Sequence, residues 1–189
     1  MKLEGVVLQG ERVTLRLLQP RDAEDYFRAG FDPMDPEVRR LTGTRAEAGL
    51  EDIRAYVARI CPDETRYDFL ILDRDGRILG ESVLNEWDEV ANCANFRICL
   101  FDSARCGRGV GGEAIALTLS FGFETWGLHR IELDVYDYNP RAHAAYLRAG
   151  FREEGRRRDG VFWDGAYHDD ILMALLADEY WKQKEREMK

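Results

Sequence analysis

Cys106-Gly107-Arg108-Gly109-Val110-Gly111-Gly112 is the stretch from which the fold is read. It follows an apolar segment, Phe96 to Phe101, that has strand character. It opens a run, Gly109 to Glu124, that is apolar around most of its circumference through Ala114, Ile115, Leu117, Leu119, Phe121 and Phe123. The stretch is therefore a strand-to-helix junction ahead of a buried helix. Glycines let a ligand approach the backbone closely, and a helix N-terminus offers unpaired N–H groups and the positive end of a dipole. That combination suits a pyrophosphate. Gly107, Gly109 and Gly112 also satisfy G-x-G-x-x-G, with Glu132 about twenty residues on, so a dinucleotide site is formally open. Against it, Asp102 to Cys106 separate the strand end from the first glycine, and the preceding region reads as an antiparallel meander. No G-K-S/T follows, which excludes a nucleoside triphosphate loop.

Outward from the junction, Tyr67 to Leu72 and Arg77 to Trp87 are strands joined by the turn Asp73-Arg74-Asp75-Gly76. Upstream, Arg12 to Leu18 alternates as a half-buried strand, Pro20 opens an acidic helix to about Gly30, and Arg45 to Ile60 has helical spacing that stops at Cys61-Pro62. Between these helices Phe31 to Thr44, punctuated by Pro and Gly, reads as a mobile loop. Downstream, Arg130 to Tyr136 is a strand, and Pro140 to Ala149 is a helix with proline in its first turn and Gly150 as its cap. Arg152 to Arg158 and Gly165 to Leu176 supply the last strands. Asp178 to Met188 is a charge-balanced helix or frayed tail. This order describes an α/β (α+β) fold, a mixed sheet with helices on both faces.

At 189 residues the chain is expected to form a single domain, 1–189. Its 45% hydrophobic and 33% charged residues exclude global disorder. With 36 acidic against 27 basic residues, the net charge of -9 has the wrong sign for nucleic acid or anionic membrane and weakly favours a cationic substrate. Cys61, Cys93, Cys99 and Cys106 form no C-x-x-C pair and no zinc pattern, so no metal is expected and free thiols are. No stretch of eighteen apolar residues and no signal segment is present, which leads to the expectation of a cytoplasmic protein.

A second constellation runs from Arg130 to Phe151 and includes Asp137-Tyr138-Asn139-Pro140-Arg141 and Tyr146-Leu147-Arg148-Ala149-Gly150-Phe151. Together with the R-G-x-G-G-type loop at Arg108 to Gly112, in this order and at this separation, it resembles the GNAT superfamily of acyl-CoA-dependent N-acetyltransferases from about Arg12 to Leu176. Trp126-Gly127-Leu128-His129-Arg130-Ile131 and Phe151-Arg152-Glu153-Glu154-Gly155 are further echoes of the branch that acetylates ribosomal-protein N-termini.

The resemblance implies a mostly antiparallel central sheet, acetyl-CoA as co-substrate, and transfer of acetyl to a primary amine by direct attack in a ternary complex. The amine is a protein N-terminus or a small molecule. By the same resemblance, the amides of Arg108, Gly109, Val110, Gly111 and Gly112 hold the pyrophosphate, with charge from Arg105 or Arg108. Backbone groups of Ile98, Cys99 and Leu100 pair with pantetheine, Asn139 binds nearby, Tyr146 sits beside the sulfur as its acid, and Arg148 reaches a CoA phosphate. Homodimers through the C-terminal strand or the helix from Asp178 are also implied.

The chemistry needs these parts independently. An amine must lose a proton to attack, the oxyanion needs a fixed donor, and the departing thiolate gains from a nearby acid. Many relatives carry a glutamate in the strand before the glycine loop as base, where this chain has Ala94-Asn95-Phe96-Arg97. Glu86 is the chosen substitute, with Glu81 and Asp88 as others. Cys106 stands where relatives often have Gln or Arg. A non-catalytic acyl-CoA-binding module is the alternative that the missing carboxylate favours. A dinucleotide-dependent oxidoreductase is a further one.

Overall fold

The computed structural model describes residues 2–187. Its strands are β1 Val7–Gln9, β2 Thr14–Leu17, β3 Tyr67–Leu72, β4 Ile78–Asp88, β5 Cys93–Leu100, β6 Arg130–Tyr136, β7 Arg152–Trp163 and β8 Ala166–Leu176. Its α-helices are α1 Ala23–Gly30, α2 Pro36–Leu41, α3 Leu50–Ile60, α4 Val110–Ser120, α5 Pro140–Arg148 and α6 Ala177–Glu187. The eight-stranded sheet runs β1-β2-β3-β4-β5-β6-β8-β7. β5 and β6 are parallel, from Cys93 with Arg130 to Asn95 with Glu132, whereas β1 with β2, β2 with β3, β3 with β4, β6 with β8 and β7 with β8 are antiparallel. This is the mixed, mostly antiparallel sheet that the sequence implied.

Contacts group the chain into two compact units, Met1–Glu86 with Arg97–Thr118, and Trp87–Phe96 with Leu119–Lys189. In the first, the turn between β3 and β4 closes through Gly76 N donating to Asp73 O, with Asp73 Oδ1 accepting from the Asp75 and Arg77 amides. β3 is buried from Tyr67 to Ile71. α1 and α3 pack their apolar stripes together, Tyr26, Ile53, Val57 and Ile60 meeting Leu18, Leu70 and Phe101. Burying such side chains stabilises by about 1.5–3 kcal/mol each.

In the second unit β6 alternates as a half-buried strand should, with Ile131, Leu133 and Val135 buried and Glu132 and Asp134 exposed. Phe96, Tyr146 and Phe151 form an aromatic triad with centroids 5.9–6.2 Å apart. Gly150, at φ +102°, ends the α5 segment as expected. α6 docks through Tyr180 stacked on Phe123 at 4.8 Å.

Several boundaries differ from the sequence reading. The loop expected at 31–44 contains α2, because Asp35 caps it by accepting from the Glu37 and Val38 amides ahead of Pro36 at the first helical position. α3 starts only at Leu50, where the Gly49 amide donates to Asp52 Oδ2 at 2.9 Å. β1 was not anticipated, being three residues long. β5 begins at Cys93, and β7 continues through the charged run to Trp163, since an edge strand needs only backbone partners. The helix after the glycine junction changes at Phe121 to a π-helical segment, Phe121–Trp126, ended by Gly127 at φ 78°. The final helix reaches Glu187, and Met188 lies outside the described residues.

Candidate active site

The glycine junction is built by two left-handed glycines, Gly107 at φ +79° and Gly109 at φ +83°, a conformation that L side chains rarely adopt. Gly109 O accepts the first helical bond from Glu113 N at 3.0 Å, so α4 starts immediately behind it. The amides of Val110, Gly111 and Gly112 are then first-turn donors with no intrahelical acceptor. A Cβ on Gly112 would meet nothing within 4 Å, which leaves the main chain open to a close ligand. A diphosphate fits this geometry and donor chemistry. Arg108 is exposed beside it. Arg105 is paired with Asp102 at 3.4 Å.

The sequence reading missed Arg12. A Cβ on Gly109 would lie 3.5 Å from Arg12 Nε, so this guanidinium flanks the turn. Its main chain is tied there, because the Glu113 carboxylate in the first turn of α4 accepts from the amides of Glu11 and Arg12, the latter at 2.9 Å. Contacts of this kind, a hundred residues apart in sequence, leave no local signal.

On β5, Phe101 N donates to Leu79 O at 2.9 Å, and a Cβ on Gly80 would stand 2.1 Å from Cys99 O. The main-chain groups of 99 and 101 therefore address β4. Strand alternation turns those of Ile98 and Leu100 to the opposite edge. The Cys99 thiol is half-buried, and burial followed by the Glu81 charge pushes its pKa up, so it remains a thiol.

Beside this strand lies a polar network drawn from separate elements. The buried Tyr26 hydroxyl donates to Glu81 Oε2 at 2.5 Å, and Arg97 Nη2 donates to Tyr56 Oη at 2.9 Å while standing 3.4 Å from Glu81 Oε1. Arg66 grips Asp68 through Nε and Nη2, each at 2.7 Å, and reaches Tyr56 Oη at 3.3 Å. Burial, then the Glu81 charge, raises the Tyr26 pKa well above its usual value, and burial raises that of Tyr56. Both phenols are therefore neutral at pH 7. The Glu81 charge is the largest influence holding Arg97 cationic.

Of the three carboxylates considered as base, Glu81 has one oxygen bonded to Tyr26 and the other beside Arg97. Asp88 Oδ1 accepts from the amides of Val90 and Ala91 and serves a turn. Glu86 is exposed at φ 55°, and Asn85 Nδ2 makes a long 3.5 Å approach to its Oε1. A non-glycine residue held at positive φ stores local strain.

In the second unit Asn139 caps α5, its Oδ1 accepting from Ala142 N at 3.2 Å. Tyr146 is buried at 7% exposure, its ring edge-on to Phe96 and Phe151. Arg148 is exposed and lines a shallow cavity of about 540 Å³ with Arg152, Glu179 and Arg186. His143 meets Glu153 at 2.7 Å and His168 meets Asp137 at 3.2 Å. Among the described residues no group of three His, Cys, Asp or Glu side chains is placed to hold a metal ion, and no helix is long and apolar enough to cross a membrane.

A sheet of this topology with a glycine turn entering a buried helix defines a class, and comparison with known proteins identifies it. The family model for the acetyltransferase (GNAT) domain matches residues 12–152, and the chain belongs to that family. It is an acyl-CoA-dependent N-acetyltransferase that uses acetyl-CoA as co-substrate and an amine as acceptor. The family match decides against the oxidoreductase.

The chain is 27% identical over 173 residues to the SPbeta prophage-derived uncharacterized N-acetyltransferase YokL of Bacillus subtilis, covering 90% of this chain and 93% of that protein. It is 30% identical over 74 residues to the ribosomal protein uS5 alanine N-acetyltransferase of Escherichia coli, covering 39% of this chain and 38% of that protein. The fold matches the crystal structure of spermidine N-acetyltransferase from Vibrio cholerae in complex with CoA and spermine, with a TM-score of 0.82 and 23% identity, over 91% of this chain and 99% of that one.

Proposed function

We propose that the chain acts as one N-acetyltransferase domain, 1–189, in which Val110, Gly111 and Gly112 bind the acetyl-CoA diphosphate through their amides. Gly109 supplies the left-handed turn, and Arg108, Arg105 and Arg12 supply charge. The observation that carries this reading is the pair of left-handed glycines followed at once by the α4 N-terminus, with open space over Gly112. Ile98 and Leu100 pair with the pantetheine arm, and the outward turn of their main-chain groups supports them over Cys99. Asn139 and Arg148 complete the co-substrate contacts. A calorimetric titration tests the reading. Micromolar acetyl-CoA binding is expected, and no binding at millimolar concentration would remove it.

In this reading the acceptor amine loses its proton to Glu86, directly or through water, and attacks the thioester carbonyl. The oxyanion is met by the main chain of β5, and the departing thiolate takes a proton from Tyr146. Glu86 is preferred because the other two carboxylates are committed to internal partners. The acceptor is a protein N-terminus or a small amine. Relatives named for ribosomal proteins and for spermidine support both classes. A panel of amines scored by release of free CoA distinguishes them. We further read the protein as cytoplasmic and as a homodimer joined by β8 or α6, with Phe162, Tyr167 and Trp181 as exposed apolar residues near these elements. Sedimentation of the pure chain as a monomer would refute the pairing.

A further inference from the structure

Arg97 has a placement that its role in the internal network does not exhaust. Its side chain is 43% exposed, although its inner partners Glu81 and Asp68 are almost wholly covered, at 11% and 6%. Among the described residues, the polar contacts of its side chain all run through one nitrogen. Nη2 bonds Tyr56 Oη at 2.9 Å and stands 3.4 Å from Glu81 and 3.9 Å from Asp68. Nε and Nη1 take no part in them. A guanidinium is rigid and planar with five N–H donors, so anchoring one nitrogen orients the remaining donors without consuming them.

Arg66 holds Asp68 in a two-pronged bond, and Arg97 faces Glu81, which also accepts from the Tyr26 hydroxyl, so two cations balance two carboxylates and a further anion would be held by the spare guanidinium donors alone. Arg97 also lies one residue before Ile98. Strand alternation puts its side chain on the β5 face that carries Cys99, and Cys99 packs against the α1 and α3 cluster. The segment linking α1 to α3 is tied to the turn that follows β5 through Ser103 N donating to Asp35 Oδ2 at 2.9 Å.

We propose that Arg97 is an acceptor-specificity residue, binding through Nε or Nη1 a carboxylate carried by the amine substrate. The preferred acceptors are therefore amino-carboxylates, and plain alkylamines and polyamines are poorer ones. This rests on the reading of β5 as the strand beside the thioester. It deepens that reading by naming a chemical class for the acceptor. Tyr56 and Glu81 are positioning residues that hold the guanidinium plane.

The test uses the full chain and two matched acceptors, β-alanine and propylamine, which differ in the acid. CoA release should give a kcat/KM at least about tenfold higher for β-alanine, in line with one charge-assisted hydrogen bond. The difference should lie in KM. Arg97→Gln should bring the ratio to within about twofold of one, and Arg97→Lys, which keeps the charge beside Glu81, should retain part of it. A second readout needs no turnover. Titration of CoA-saturated protein with the two products, N-acetyl-β-alanine and N-propylacetamide, should show the acid binding at least about tenfold more tightly, and Arg97→Gln should erase the difference. A wild-type chain that does not distinguish the acid in either assay overturns the proposal, as does an Arg97→Gln chain that keeps the preference. If no amine releases CoA yet the titration keeps the preference, the reading of the transfer site fails and the Arg97 site stands.

Discussion

At Gly80 a Cβ would stand 2.1 Å from Cys99 O and 2.9 Å from Leu100 Cα, main-chain atoms that cannot swing aside. Gly80→Ala should therefore cost about 3 kcal/mol or more in urea unfolding. It should also weaken acetyl-CoA binding, because β5 must shift to make room. Gly112 poses the opposite case. Its Cβ meets nothing within 4 Å, and alanine suits a helix better than glycine. Gly112→Ala is thus expected to leave stability unchanged or raise it by a few tenths of a kcal/mol, while KM for acetyl-CoA rises because the methyl occupies the ligand's space. An unchanged KM would argue against a diphosphate there. Tyr146→Phe keeps the ring contacts with Phe96 and Phe151, so it should lower kcat more than acetyl-CoA affinity. Full turnover in that variant would clear the phenol of the acid role.

Among the elements, α2 hangs on one carboxylate. Asp35 accepts from the amides of Ser103, Glu37 and Val38, with Ser103 first in effect, and these bonds hold its pKa down to about 2 from 3.8. A folded pKa below the unfolded one adds stability that is complete above about pH 4 and is lost as pH falls from 3.8 through about 2. Asp35→Ala should cost about 1 kcal/mol at pH 7, and the gap from wild type should narrow as unfolding is measured nearer pH 2. A gap independent of pH would mean that the carboxylate charge is not what holds the helix. This element was also the least legible in sequence, since its six residues sit in a segment broken by Pro and Gly. β3 and β6 were read with their true limits because buried apolar runs and period-two alternation are local signals. The glycine junction was legible for the same reason. Arg12 and the cluster of Tyr26, Tyr56, Glu81 and Arg97 were not, because their partners come together only when distant elements pack. The one available hint was a cation, Arg97, set between Phe96 and Ile98 in the otherwise apolar stretch Phe96 to Phe101.

For the whole molecule, ligand linkage gives the broadest check. A protein that binds acetyl-CoA only when folded gains about 2.7 kcal/mol at a hundredfold excess over Kd, which for this chain length is a rise in Tm of roughly 5–10 °C. The same excess of NADH should leave Tm where it was, and the reverse result would contradict the family's chemistry. A last consequence concerns the wide turn at Phe121–Trp126, where Gly122 O receives both Gly127 N and Leu128 N. A coil that widens for one turn stores more chain than its axial advance demands. Excising the exposed Thr125 should let the coil tighten to ordinary α winding and keep the downstream residues in place. The same excision within an α-helical interior would swing every later side chain by about 100°. This turn is thus a reservoir of slack, the place where the chain can change length by one residue and still be the same protein.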